Sequence, residues 1–259
     1  MNQSITQADG LVGTTAIVTG ASRGFGRAVA AALTAAGAHV VGVARTGNDL
    51  DRVREDLGDN FTPMVADAAE PETASKLIDE YQPRTVVLVA GLAPPMMPLS
   101  EQTWETFSAN WYVDVAQAFH WIRHALRRPL APGSSVIVFS SGAAVMGSPL
   151  SGGYAGAKAT VRFITSYAAA ESQRAGLGIT FTSVLPRLTA ATELGAKAVA
   201  AYAERQGVDV DTFVKSSGPV LTAEQVGLSV LEIASDIARG VQREHEAYLL
   251  TEAGLSPLS

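Results

Sequence analysis

The chain has 259 residues, 47% of them hydrophobic and 17% charged, with a net charge of −6 and no cysteine. Those values suit a globular protein with a substantial core and exclude a disordered chain, disulfides, thiolate-bound zinc and a cysteine nucleophile. The acidic balance argues against nucleic acid as the main partner, and no apolar run reaches the roughly eighteen residues that a membrane span needs.

The first residues, Met1–Asp9, lack the basic and apolar regions of a secretory signal. With the missing cysteines, this leads us to expect a cytoplasmic protein with no membrane partner. No fixed-period repeat, low-complexity linker or composition break divides the chain, so residues 1–259 are expected to form one domain.

Taken in order, Thr14–Thr19 reads as a short buried strand ending at Gly20, and a helix then runs to Ala36, where Gly37 closes it. Ala38–Ala44 is a second strand, almost wholly apolar. A polar helix near Asn48–Asp56, a strand at Phe61–Ala66 and a helix over Pro71–Tyr81 follow. Thr85–Ala90 is a fourth strand, Leu92–Leu99 a proline-rich loop, and a long helix is expected from Glu101 to Arg128, stopping before Pro129. Ser135–Ser140 is the fifth strand, and the helix that carries Tyr154 runs to about Ala175. Gly178–Leu185 and Tyr248–Thr251 complete the set. Strands alternating with helices, and apolar throughout, predict an α/β Rossmann fold: a doubly wound parallel sheet of about seven strands with right-handed crossovers.

Gly20-Ala21-Ser22-Arg23-Gly24-Phe25-Gly26 sits between the first strand and the first helix. Glycines there let the backbone approach a pyrophosphate, and the helix start supplies unpaired N–H groups and a favourable dipole. A NAD site would place an acidic residue at the end of the second strand. Here that strand ends Ala44-Arg45-Thr46-Gly47, with no acid before Asp49. Arg45 and Arg23 are placed instead to meet a 2′-phosphate, which favours NADP(H) over NAD(H).

Tyr154 and Lys158 lie four apart on one helix and so share a face, with Ser140-Ser141 shortly before them. A phenol is a poor acid–base catalyst at neutral pH, but an ammonium about 5 Å away favours the phenolate by roughly 3 kcal/mol at an effective dielectric of about 20. A nearby serine hydroxyl would hold a substrate carbonyl against the phenol. On its own the spacing also suits a solvated helix ridge.

Together these residues resemble the short-chain dehydrogenase/reductase family over nearly the whole chain. The resemblance rests on Thr19–Gly26, Asp67 after the third strand, Ser141, and Tyr154-xxx-Lys158, with the family's spacing from Ser141 to Tyr154. It implies that Tyr154 protonates the carbonyl oxygen, Lys158 binds the nicotinamide ribose and lowers the phenol's pKa, Ser141 holds the substrate oxygen, and Asp67 contacts the adenine. It assigns the catalytic asparagine to Asn110 and places Ala90, Gly91, Pro186 and Thr189 beside the cofactor, with Thr192 as the alternative to Thr189. Hydride transfer between NADP(H) and a carbonyl or secondary alcohol is the implied chemistry.

Four departures mark an atypical branch. Leu88-Val89-Ala90-Gly91 stands where the family usually has Asn-Asn-Ala-Gly, so the polar side chains that steady this wall are expected to be missing. Asn110 follows Trp104 one residue sooner than the family pattern. Arg187 replaces a glycine after Pro186, suiting either an anionic substrate group or a salt bridge. The usual Asp-Gly-Gly ending is replaced by Leu250–Gly254.

Residues 187–220 are expected to form a substrate lid, whose apolar content suits a substrate with a hydrophobic body. Ala155, Gly156, Ala157 and Ala159 suit close helix contact between subunits, predicting a homodimer or homotetramer. Trp104, Trp111 and Tyr112 fit the site border, the core or a subunit interface. His120 and His124 have no third ligand at a telling spacing, so no metal site is expected. The alternatives to a reductase are a non-catalytic NADP-binding scaffold and an epimerase or dehydratase on the same fold.

Overall fold

The computed structural model describes residues 10–241 and 243–258. The stretch Met1–Asp9, in which no secretory signal is expected, lies outside the described residues. The first half of the sheet comprises β1 (Thr15–Thr19), β2 (His39–Ala44), β3 (Phe61–Val65) and β4 (Thr85–Leu88). The second half comprises β5 (Ser135–Phe139), β6 (Thr180–Pro186), β7 (Ala247–Thr251) and β8 (Gly254–Pro257). Their order is β3-β2-β1-β4-β5-β6-β7-β8, parallel up to β7. This is the doubly wound arrangement that the alternating pattern predicts. The eighth strand goes beyond the expected seven. It pairs antiparallel with β7 across the Glu252-Ala253 turn, and its four residues are too short and mixed to read as a strand in advance.

The helices are α1 (Gly24–Ala35), α2 (Gly47–Leu57), α3 (Pro71–Tyr81), α4 (Trp104–Asn110), α5 (Ala116–Arg127), α6 (Ala143–Met146), α7 (Gly152–Ala175), α8 (Glu193–Gln206), α9 (Val210–Ser216) and α10 (Ala223–Ala238). Ala16 and Val18 of β1 pack into one apolar cluster with α1, α2 and α10, while Ile17 packs into a second with α3, α5 and α7. Alternate side chains feed opposite layers, so the central positions of β1 are apolar on both faces.

The expected long helix is interrupted. Thr103 caps α4 through a reciprocal pair with Thr106, which fixes the start at Trp104 rather than Glu101. Between α4 and α5 the backbone widens into a π-helical segment, Trp111–Val115. Asn110, Asp114 and Gln117 all point inward from this stretch and are 1–3% exposed.

The small residues of α7 act within the chain. A Cβ on Gly153 would sit 1.9 Å from the Phe107 carbonyl oxygen, and one on Gly156 would strike the Trp111 ring at 2.7 Å. Ala157 is fully buried. Gly156 and Ala157 thus serve the contact of α7 with the α4–α5 stretch and the core within one chain. Trp104, Phe107 and Trp111 stack along this face with ring centroids 6.0 Å apart.

Candidate active site

Strand order reverses between β1 and β4, and open α/β sheets place their ligand crevice at such a point. Gly20 leaves β1 there with φ +69°, and a Cβ on it would lie 2.9 Å from the Ala90 Cα. Gly26 is tighter still, since a Cβ there would lie only 2.1 Å from the Gly20 carbonyl oxygen. These two glycines let strand, loop and helix close on one another. Gly24 has φ +54° and faces the Thr192 methyl across the loop. No side chain caps α1, and no acid occupies its first turn, so its leading N–H groups remain for an anion. That is the observation by which this loop fits a dinucleotide pyrophosphate. Ser22 lies on the loop, and the Phe25 ring turns into the core, 6.3 Å from Phe139.

The two arginines differ. Arg45 is exposed at the end of β2 and has no ion-pair partner among the described residues. Arg23 reaches over the loop to Glu193 at the start of α8, 2.5 Å away. Lys197 and Arg23 together hold the Glu193 carboxyl below its ordinary pKa. Asp67 is half-buried and accepts the Ala69 N–H at 2.9 Å, the turn-capping arrangement that competes with adenine contact.

Across the crevice, Ser141 follows β5, and Tyr154 and Lys158 lie in the first two turns of α7, against which α6 packs. The Ser141 Oγ accepts the Ala143 N–H at 3.2 Å, which leaves its own proton to donate. The Gly142 N–H is held by the Pro186 carbonyl at 3.0 Å, tying the Ser141 loop to β6. Tyr154 is half-buried, and its hydroxyl has no protein partner among the described residues. The Lys158 Nζ lies 5.8 Å from the centre of the Tyr154 ring. It donates to the Phe139 carbonyl at 2.9 Å and sits 2.9 Å from the Asp114 Oδ1. Burial works against the Lys158 charge, but Asp114 first and Tyr154 second outweigh it, so its pKa is raised.

The wall formed by Val89-Ala90-Gly91 is not bare, contrary to expectation. Its backbone groups need partners once the usual side-chain amides are gone. Thr19 accepts the Val89 and Ala90 N–H groups at 3.0 and 3.2 Å, and donates to the Gln117 Oε1 at 2.6 Å. Gln117 in turn donates to the Ala90 carbonyl at 2.7 Å. One turn earlier, the Asp114 Oδ2 accepts from the Leu92 N–H and from the Asn110 Nδ2 at 3.1 and 3.0 Å. Asn110 also donates to the Leu92 carbonyl at 2.7 Å. The site therefore takes its polar support from the α4–α5 stretch instead of from the loop.

Thr19 was legible only as part of the glycine motif, and Asp114 and Gln117 were missed. Their signal was an inward polar stripe, Asn110, Asp114 and Gln117, at the i, i+4, i+7 spacing of a buried helix face. Thr189 is buried, and its hydroxyl is committed to the Leu221 carbonyl at 2.7 Å. The alternative, Thr192, caps α8 through the Gly195 N–H and lies beside Gly24. Arg187 bonds the Ser217 carbonyl and lies 3.6 Å from Glu252, the salt-bridge reading of the two offered. His124 pairs with Asp79 at 2.9 Å.

Residues 14–203 match the family model described as short chain dehydrogenase. The chain belongs to the short-chain dehydrogenase family. Among its curated relatives, the cis-4-hydroxycyclohexanecarboxylate dehydrogenase of Sinomonas cyclohexanicum is 31% identical over 86% of this chain and 90% of its own length. The L-xylulose reductase of Mesocricetus auratus is 34% identical over 51% of this chain, and the chain spans only 54% of that relative's length. The 3-oxoacyl-[acyl-carrier-protein] reductase FabG of Vibrio cholerae is 29% identical over 68% of this chain and 73% of its own. In this chain a buried carboxylate, Asp114, lies beside Lys158.

Proposed function

We propose that this protein is an NADP(H)-dependent oxidoreductase acting on a carbonyl or secondary alcohol of a small, partly hydrophobic substrate. The observation that carries the reading is a Tyr154 ring 5.8 Å from the buried Lys158 ammonium, with the Tyr154 hydroxyl unpartnered among the described residues and the Ser141 hydroxyl free to donate. A bound nicotinamide would supply or accept the hydride. Ser141 would hold the substrate oxygen, and Tyr154 would give it a proton during reduction or take one during oxidation. Lys158 would stabilise the phenolate left behind and bind the ribose. Asn110, held on Leu92, would keep this wall at its distance from α7.

Ser22, Gly24 and the α1 start would bind the pyrophosphate, with Ala90, Gly91, Pro186 and Thr192 around the rest of the cofactor. Arg45 would meet the 2′-phosphate, joined by Arg23 once it leaves Glu193. Substrate specificity would rest with the exposed Val145 and Met146 after Ser141 and with Leu188 at the head of a lid spanning 187–220. Within that lid, Tyr202 stacks on Phe213 and its hydroxyl lies 2.5 Å from Ser148. Exposed Tyr112, Phe119, Phe163 and Tyr167 on the outer faces of the α4–α5 stretch and α7 support a homodimer or homotetramer, tested by light scattering. No described helix is long and apolar enough to cross a membrane, and a cysteine-free chain fits a cytoplasmic setting.

The test is NADPH oxidation against a panel of ketones and aldehydes, with Tyr154→Phe as control. Tyr154-dependent turnover supports the reading. Product formed without a net absorbance change points to an epimerase or dehydratase, and cofactor binding with no reaction points to a scaffold.

A further inference from the structure

The buried charge facing Lys158 has no part in that scheme. Asp114 is 1% exposed, and both of its oxygens face donors: Oδ1 the Lys158 Nζ, and Oδ2 the Leu92 N–H and the Asn110 amide. Only an acceptor at both positions satisfies this set, so an ionised carboxylate fits and an amide does not. Gly91 adds an independent constraint. A Cβ there would lie 2.7 Å from the Asp114 Oδ1 and 3.7 Å from the Lys158 Nζ. A side chain at this position would therefore have to displace the Asp114 carboxylate where the pair meets the crevice wall. Lys158 donates one hydrogen bond, to the Phe139 carbonyl, and the Asp114 Oδ1 faces its ammonium at 2.9 Å as an ion pair without hydrogen-bond geometry.

We propose that Asp114 is a positioning residue that holds Lys158 in place as a buried ammonium through this ion pair. The proposal rests on reading Tyr154 and Lys158 as the reacting pair. The charged and titratable groups acting on Lys158 are Asp114 from the π-helical segment and Tyr154 from its own helix, with the Phe139 carbonyl contributed by β5.

Two readouts test it. The first needs neither cofactor nor turnover. Lys158→Met strands a buried carboxylate and should lower the melting temperature by roughly 5–15 °C near pH 8. Adding Asp114→Asn to that variant should recover about half of the loss or more. A double variant no more stable than Lys158→Met overturns the proposal. This holds even if the protein reduces nothing, so the two readings fail separately. The second readout is the pH profile of reduction in Asp114→Asn. Without the carboxylate, Lys158 gives up its proton more readily, so the alkaline limb should move about one pH unit towards acid. A rate lowered equally at every pH, with the limb in place, assigns Asp114 a merely structural role and also overturns the proposal. Should Asp114→Asn fail to fold alone, the stability comparison of Lys158→Met with the double variant decides the matter.

Discussion

The two walls of the crevice are built by different means. On the α7 side, Tyr154 and Lys158 come from one helix, and local spacing alone puts them on a common face. On the β4 side, the stretch 89–92 has no polar side chain, and its backbone is held by Thr19 from β1 and by Asp114 and Gln117 from the α4–α5 stretch. The first wall is a local motif, whereas the second is assembled over separations of 22 to 98 residues. A site can therefore lose a familiar motif and keep its polar support, because the backbone's need for partners can be met from another element.

The largest effect should come from the motif wall. Tyr154→Phe should lower turnover by about 10³-fold while cofactor binding, followed by fluorescence, is kept. Lys158→Met should lose nearly as much activity. A near-normal rate in either variant would break the assignment of that wall.

The assembled wall should answer in stability. Gln117→Leu leaves the Ala90 carbonyl and the Thr19 hydroxyl without their partner, at a cost of about 1–3 kcal/mol. Thermal unfolding of that variant should show a drop of several degrees. A melting temperature within a degree of wild type would mean that Gln117 supports nothing. Gly91→Ala pushes a methyl towards Asp114, and overpacking of this kind costs about 1–3 kcal/mol. It should also weaken activity, because the displaced carboxylate takes Lys158 with it.

Cofactor choice should respond less. Arg45→Ala should reduce the preference for NADPH over NADH by about tenfold, the loss of one charge-assisted contact. Glu193→Gln frees Arg23 and should leave that preference unchanged or slightly higher, since the pair it breaks is exposed. Equal affinity for both cofactors in the wild type would remove the NADP assignment.

The smallest effect is a matter of pH. The folded pKa of Lys158 is raised above the ordinary lysine value of 10.5 by Asp114 and Tyr154 against the cost of burial. Its contribution to stability is therefore complete below about that pH and is lost only as the pH rises through the higher folded value. Lys158→Met should lack this alkaline component when melting curves of the two proteins are compared at increasing pH.

The sheet order, the glycine turn and the Ser141–Tyr154–Lys158 constellation were legible because each depends on short-range pattern: apolar runs, a positive-φ turn, a helical repeat. Gly20 and Gly26 fall where backbone approach requires them. What escaped the sequence was held by long-range pairing. The only local signal of Asp114 and Gln117 is their i, i+4, i+7 spacing from Asn110, and whether that stripe faces solvent or core is decided by neighbours such as Ala118 and Trp121, which are buried. The π-helical segment was hidden for the same reason, since it lies within a run whose composition suits an ordinary helix. The partners of Thr189 and Arg187 are likewise set at long range, at the Leu221 and Ser217 carbonyls.

The most direct measurement is the initial rate of NADPH oxidation by wild type and Tyr154→Phe on the same ketone and aldehyde panel, with NADPH binding measured in parallel. An oxidoreductase built on Tyr154 should give turnover on at least one substrate in the wild type, near-complete loss in the variant, and equal binding by both. Undiminished turnover in Tyr154→Phe, or NADPH binding with no reaction on any substrate, would contradict it.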